Sequence, residues 1–165
     1  MISPTGDKIA FGRNSKLFIM NLDGTNETQL ADSLSGGLAW SLRGDKITFV
    51  KQDFALYTID RSGIETRQLT PMGTAIPRIV NWAPSGDKIA FEWIYGIQIA
   101  NSDGSGVTTL AVNASMPSWH PDGSVIAYIA SGGVLVTERP DGTDSTSIVP
   151  LRASFSVAWS PVPLP

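Results

Sequence analysis

A stretch of ten residues recurs along the chain, and no other feature narrows the possible folds as much. Its fullest copy is Trp82-Ala83-Pro84-Ser85-Gly86-Asp87-Lys88-Ile89-Ala90-Phe91, and a second is Trp119-His120-Pro121-Asp122-Gly123-Ser124-Val125-Ile126-Ala127-Tyr128. A looser copy runs from Trp40 to Phe49, and the chain opens on the later part of another, Ser3 to Phe11. Anchored on Gly6, Gly44, Gly86 and Gly123, the spacings are 38, 42 and 37 residues, the period of a repeat architecture. Three residues after each anchor stand Ile9, Ile47, Ile89 and Ile126; five after it stand Phe11, Phe49, Phe91 and Tyr128. Between them lie Ala10, Thr48, Ala90 and Ala127, so bulky and small side chains alternate with the period of a strand.

A second glycine follows each anchor by 18 or 19 residues, at Gly24, Gly63, Gly104 and Gly142. Asp23, Asp103 and Asp141 precede three of these, and Ser62 the other. Asp-Gly between two apolar runs predicts a hairpin with a tight primed turn, because such turns need positive φ. Leu17, Leu56, Ile97 and Leu135 lie seven residues before this glycine, and Leu30, Leu69, Leu110 and Ile148 six after it. Each period therefore holds four strands: A runs into the tryptophan, B is the Ile-Ala-Phe run, C precedes the second glycine and D follows it. Four antiparallel strands per period predict the blade of a β-propeller. Trp40, Trp82, Trp119 and Trp159 are expected to wedge between stacked blades, each burying roughly 150–250 Å².

The Trp-x-Pro-x-Gly-Asp-Lys-Ile-Ala-Phe run, followed by an apolar strand and Asp-Gly, resembles the WD-repeat-like repeat of TolB-type propellers. The resemblance covers essentially the whole chain. It departs at Leu42-Arg43, which stand for Pro-Asp, and at His120, which stands for Ser. It implies an all-β propeller acting as a non-catalytic binding or scaffold module for a protein or peptide, as in the cell-envelope Tol–Pal system, and a periplasmic location. Similar propellers accompany prolyl oligopeptidase-type hydrolases, so a second reading has this chain serve a hydrolase encoded outside it. A third is an enzyme using carboxylates that face the channel.

The repeat divides one domain, residues 1–165, into blades at 1–31, 36–70, 78–111 and 114–149. The first blade lacks strand A, and residues 154–160 are a spare strand A. Joining the two closes a four-bladed ring and removes an open edge. Two alternatives use the same strands: half of an eight-bladed homodimer formed by exchange of the terminal strand, or a fragment of a larger propeller. Pro161, Pro163 and Pro165 are expected to stop the array, because alternate prolines cannot continue a central strand.

Hydrophobic residues make up 42% of the chain and charged residues 16%, which excludes the disordered class and fits strands buried on both faces. A net charge of −3 with no basic run argues against nucleic acid as a partner. The absence of cysteine removes disulfides and thiolate metal ligands, and one histidine cannot complete a zinc site. No apolar run reaches the ~18 residues of a membrane helix, and no basic-then-apolar leader is legible at the N-terminus.

His120 stands beside a turn and reads as structural; a Ser-His-Asp triad would need it, and no Gly-x-Ser-x-Gly elbow is present. The Asp-Gly-Thr/Ser turns offer oxygens to calcium, but turn chemistry accounts for them and none follows a calcium-loop pattern. Gly36-Gly37 and Gly132-Gly133 read as loop glycines at blade edges, with no helix behind them to bind phosphate. No catalytic residue, metal ligand or cofactor is expected. The A–B and C–D turns are uniform between copies and share one face. The B–C and D–A connections share the other, where Arg13, Asp32, Lys51, Asp53, Arg78, Trp93 and Tyr95 gather. Loops on a rigid scaffold are the usual seat of binding. A protein or peptide partner is therefore expected at Arg78, Trp93 and Tyr95, with Arg13 a weaker contributor. Equally, Trp93, the one tryptophan outside the repeat register, reads as a cover for its blade edge.

Overall fold

The computed structural model describes residues 1–73, 79–150, 157 and 159, and among them there are strands and no helix. The first sheet holds β1 (Lys8–Arg13), β2 (Lys16–Asn21) and β3 (Thr28–Ala31). The second holds β4 (Leu34–Trp40), β5 (Lys46–Lys51), β6 (Leu56–Asp60) and β7 (Thr66–Gln68). The third holds β8 (Val80–Trp82), β9 (Lys88–Trp93), β10 (Gly96–Asn101) and β11 (Thr108–Val112). The fourth holds β12 (Ser115–Trp119), β13 (Ile126–Ala130), β14 (Val134–Glu138) and β15 (Thr146–Pro150). All pairings are antiparallel between strands adjacent in sequence, the meander of propeller blades. The register repeats as well: Trp40 opposes Ile47, Trp82 opposes Ile89 and Trp119 opposes Ile126.

Period-two alternation gives each blade two apolar faces, and the blades stack in one direction. Ile47, Phe49, Tyr57 and Ile59 of the second blade pack on Ala10, Leu17 and Ile19 of the first. Ile89, Phe91 and Ala100 of the third pack on Val50 and Leu56 of the second. Ile126, Tyr128 and Val136 of the fourth pack on Ala90, Ile97 and Ile99 of the third. The bulky face of each blade thus meets the smaller face of the blade before it. Fully buried side chains such as Phe49 and Ile89 contribute about 1.5–3 kcal/mol each by leaving water.

The tryptophans wedge between blades as expected, and their indoles follow a hydrogen-bond rule with one exception. Trp40 Nε1 donates to Met1 O (3.2 Å), Trp119 Nε1 to Asn81 O (3.2 Å) and Trp159 Nε1 to Ser118 O (3.0 Å). Each acceptor is the carbonyl one residue before the wedge position of the preceding blade. The matching acceptor for Trp82 is Ala39 O, which instead accepts the Thr48 hydroxyl at 3.1 Å. Trp82 Nε1 is buried without an acceptor. The other copies carry alanine where this one carries Thr48, so only here does a hydroxyl compete.

Several expectations need adjustment. The C–D hairpins are not two-residue primed turns. Gly24 N donates to Asn21 O (3.0 Å) and Gly24 has φ 86, while Asp23 has no positive φ, so the glycine closes a longer turn as a bulge. Gly36 and Gly37 lie within β4, not in a loop, and the register shifts around them; Gly37 (φ 66) is where the strand bulges past Val50. The segment 154–160, expected to close the ring as a spare strand A, lies outside the described residues except for Val157 and Trp159. On the first blade, Ile2 bridges Ile9 and Met1 O accepts from Ala10 N (2.8 Å), so these residues hold the end of the strand-A edge. Among the described residues the core clusters join blades one to two, two to three and three to four.

Candidate functional site

The last residues of the four B strands are Arg13, Lys51, Trp93 and Ala130, one register position that differs in every blade. In the first two blades a cation there covers the aromatic of the neighbouring strand. Arg13 lies 4.5 Å from the Phe18 ring centre and donates to both carboxylate oxygens of Glu27. The Lys51 ammonium lies 4.2 Å from the Tyr57 ring centre. Tyr57 in turn donates its hydroxyl to Asp53 (2.6 Å), and burial, then that carboxylate, push the phenol up to about 12. Asp32 accepts from Gln29 Nε2 (2.9 Å) and lies 3.6 Å from Lys16 Nζ. Most of the gathered charges are therefore already engaged with their own blades. Arg78 lies outside the described residues.

The third blade is different. Trp93 is half-buried and meets Tyr95 edge-to-face at 5.2 Å and 82°, and its buried indole N–H has no acceptor. Trp93 opposes Gly96 in the ladder, so Ile94 and Tyr95 alone make the turn, and they are 70% and 64% exposed. The corresponding turn of the first blade, Asn14-Ser15, has φ of 50 and 56, the primed form that suits a two-residue hairpin. Ile94 and Tyr95 take no positive φ; the departure is absorbed at Gly96, with φ 142. A Cβ at Gly96 would stand 2.1 Å from Ala111 O, so only glycine fits. Tyr95 O accepts from Asn113 N (2.8 Å) and the Glu92 carboxylate from Met116 N (3.3 Å), tying the turn to the crossing into β12. The result is a short, rigid hairpin presenting one aliphatic and one aromatic side chain to solvent. Phe54 (46% exposed, φ 58) and Val112 (68% exposed) add apolar surface on the same face of the array. Sequence reasoning named Trp93 and Tyr95 but passed over Ile94 and Gly96; the glycine directly after an aromatic turn was the available signal.

The opposite face holds a cavity of about 700 Å³. Trp40, Trp82, Trp119 and Trp159 line it with Pro84 and Pro121 of the A–B turns. The Trp-x-Pro spacing was its sequence signal. His120 belongs to this face: its ring stands edge-on to Trp159 at 4.5 Å and its Nδ1 lies 2.6 Å from Asp122 Oδ1. Hydrogen bonds from Ser124, then from His120, pull the Asp122 carboxyl down to about 2. Asp23, Asp103 and Asp141 accept the hydroxyl and N–H of Thr25, Ser105 and Thr143, which hold all three below the ordinary carboxylate range. Among the described residues no three His, Asp or Glu side chains converge as a metal cage requires, and no helix is long and apolar enough to cross a membrane.

Comparison with known proteins shows the fold. No family model matches the chain. An uncharacterised protein of Escherichia coli (strain K12), YidR, is 32% identical over 106 residues, covering 58% of this chain and 26% of YidR. A TolB-type protein of Agrobacterium tumefaciens superposes with a TM-score of 0.68 at 20% identity, over 88% of this chain and 62% of that one. A chain of a nidogen/laminin complex gives 0.63 at 15% identity, over 86% and 61%. The β-propeller domain of Cps50 (Swd1) from Myceliophteria thermophila gives 0.70 at 14% identity, over 90% and 54%. The chain has a β-propeller fold, and it spans about a quarter of YidR and somewhat over half of each superposed chain.

Proposed function

We propose that this propeller is a non-catalytic binding module that holds a protein or peptide on its B–C/D–A face, at the β9–β10 hairpin. The observation that carries the reading is the solvent-facing Ile94-Tyr95 pair, backed by Trp93 and clamped by Gly96 and Asn113. Preformed aromatic surface binds at low entropic cost, because little must be ordered on contact. Arg78 joins the site on sequence alone. Arg13 contributes only by giving up Glu27, which ranks it below the aromatics. The nidogen/laminin neighbour is a propeller-like chain in a complex with another protein, which is in keeping with this role.

The test is selection of peptides from a random library against the intact protein, followed by affinity measurement on variants. Trp93→Ala/Tyr95→Ala should weaken selected peptides at least tenfold. Lys46→Ala/Lys88→Ala, on the opposite face, should leave them unchanged. Loss only in the lysine pair would move the site to the other face and overturn the proposal.

A further inference from the structure

On the A–B/C–D face the first two blade interfaces are closed and the third is open. A Cβ at Gly63 would stand 3.0 Å from the Leu30 side chain, and one at Gly104 would stand 2.7 Å from Gln68 O. Each of these C–D turns is therefore seated on the blade before it. Gly142 holds the same place in the fourth blade, and no other residue comes within 4 Å of its Cβ position. Arg61, two residues before Gly63, also reaches across to the Asp7 carboxylate of the first blade. The fourth blade has Pro140 in that place, which has no donor to offer. The turn thus stands off the third blade, and a cleft of about 460 Å³ opens between the two.

Two cations line this cleft, Lys88 from the third blade and Arg139 from the fourth. Lys88 Nζ donates to Asn101 Oδ1 (3.0 Å), as Lys8 Nζ donates to Asn21 Oδ1 (2.6 Å) in the first blade. The acceptor is neutral, so it leaves the lysine charge in place. In the fourth blade the corresponding residues are Val125 and Arg139, so a second cation stands where the acceptor would be. Thr108 adds a hydroxyl, and Ile99 and Pro140 add apolar wall. Asp141 lines the cleft too, with its Oδ1 already accepting the N–H (3.0 Å) and the hydroxyl (2.6 Å) of Thr143. The lining therefore carries one net positive charge. Arg139 Nε also lies 2.9 Å from Asp144, but that pair is 57% and 68% exposed, and exposed pairs hold weakly. We infer that the cleft binds one carboxylate, held between the Lys88 ammonium and the planar fork of Arg139. A phosphate dianion would bring more charge than the lining offsets. A peptide C-terminus and a free organic acid both present the required group.

Titration of the ¹⁵N-labelled protein at constant ionic strength tests this, with N-acetylglycine, propionate and neutral N-acetylglycinamide as probes. Both carboxylates should give saturable shifts at the Gly106 and Thr108 amides and at Arg139 Nε–H, and the amide should give none. Tighter binding of N-acetylglycine than of propionate marks a peptide terminus as the ligand, and equal binding marks a free acid. Lys88→Met should weaken binding about tenfold or more, the loss of one charge-assisted hydrogen bond. Asp144→Asn should tighten it, because Arg139 is then released. Lys8→Met, which breaks the same lysine–asparagine pair away from the cleft, should change nothing, and neither should Trp93→Ala/Tyr95→Ala. Where Lys88→Met does not fold, Arg139→Gln on the exposed rim takes its place with the same loss expected. Absence of saturable shifts overturns the inference, as do equal shifts with the neutral amide or undiminished binding by the Lys88 or Arg139 variant.

Discussion

Trp82 and Trp119 occupy the same place in successive repeats, are 4% and 6% exposed, and differ in one hydrogen bond. Replacing each by phenylalanine isolates that difference, since both variants lose the same ring atoms from equally buried sites. Trp119→Phe removes the bond to Asn81 O, a net loss of about 1 kcal/mol. Trp82→Phe removes a buried donor that has no acceptor, relieving a penalty of about 1–3 kcal/mol. The two should therefore differ by roughly 2–4 kcal/mol, with Trp119→Phe the less stable. Equilibrium urea unfolding with unchanged m values reads this directly. A third variant closes the argument: Thr48→Ala frees Ala39 O, so in that background Trp82→Phe should become as damaging as Trp119→Phe. Equal destabilisation by the two phenylalanines in the native background would refute the assignment of the competing hydroxyl.

Gly96→Ala should destabilise by about 2–5 kcal/mol through backbone strain and collision with Ala111 O. Gly142→Ala, with φ 82 and open space around it, should lose only about 1–2 kcal/mol in thermal unfolding. Tyr128 donates to the buried Glu138 carboxylate (2.7 Å), at positions held by Phe and by Met, Ile or Ala in the other blades. Tyr128→Phe should cost about 1.5–3 kcal/mol, while Tyr128→Phe/Glu138→Leu should sit closer to wild type; a double variant worse than both singles would contradict the pairing. The turn carboxyls of Asp23, Asp103, Asp122 and Asp141 are held below their unfolded value of about 3.9, so the unfolded state binds more protons over that interval. Stability from them is present above pH of about 4 and is lost as pH falls towards about 2. The midpoint temperature should drop across that window, and Asp122→Asn should flatten the drop; an unchanged slope would place the proton uptake elsewhere. Trp93→Ala should cost clearly less than the ~3–5 kcal/mol of Trp119→Ala, because Trp93 is only half-buried and makes no bond through its indole.

The strands and their order were legible in the chain, because they arise from local patterns, whereas the turn type and the bulge at Gly37 were not. Ile9-Ala10-Phe11 alternates its side chains whatever lies beyond, and Gly24 or Gly104 closes a turn by its own φ. The position of Trp93 outside the repeat was legible for the same reason. What a side chain finds across space was not. Arg13 and Trp93 share a register position, yet one is held by Glu27 and Phe18 while the other backs an exposed turn. Trp82 and Trp119 are alike in sequence, and only the Thr48 hydroxyl reaching Ala39 O from the neighbouring strand leaves one indole unpaired. Periodicity sets which face a residue takes, whereas partners and open faces depend on the angle and distance at which one blade meets the next, and those are properties of the packed array.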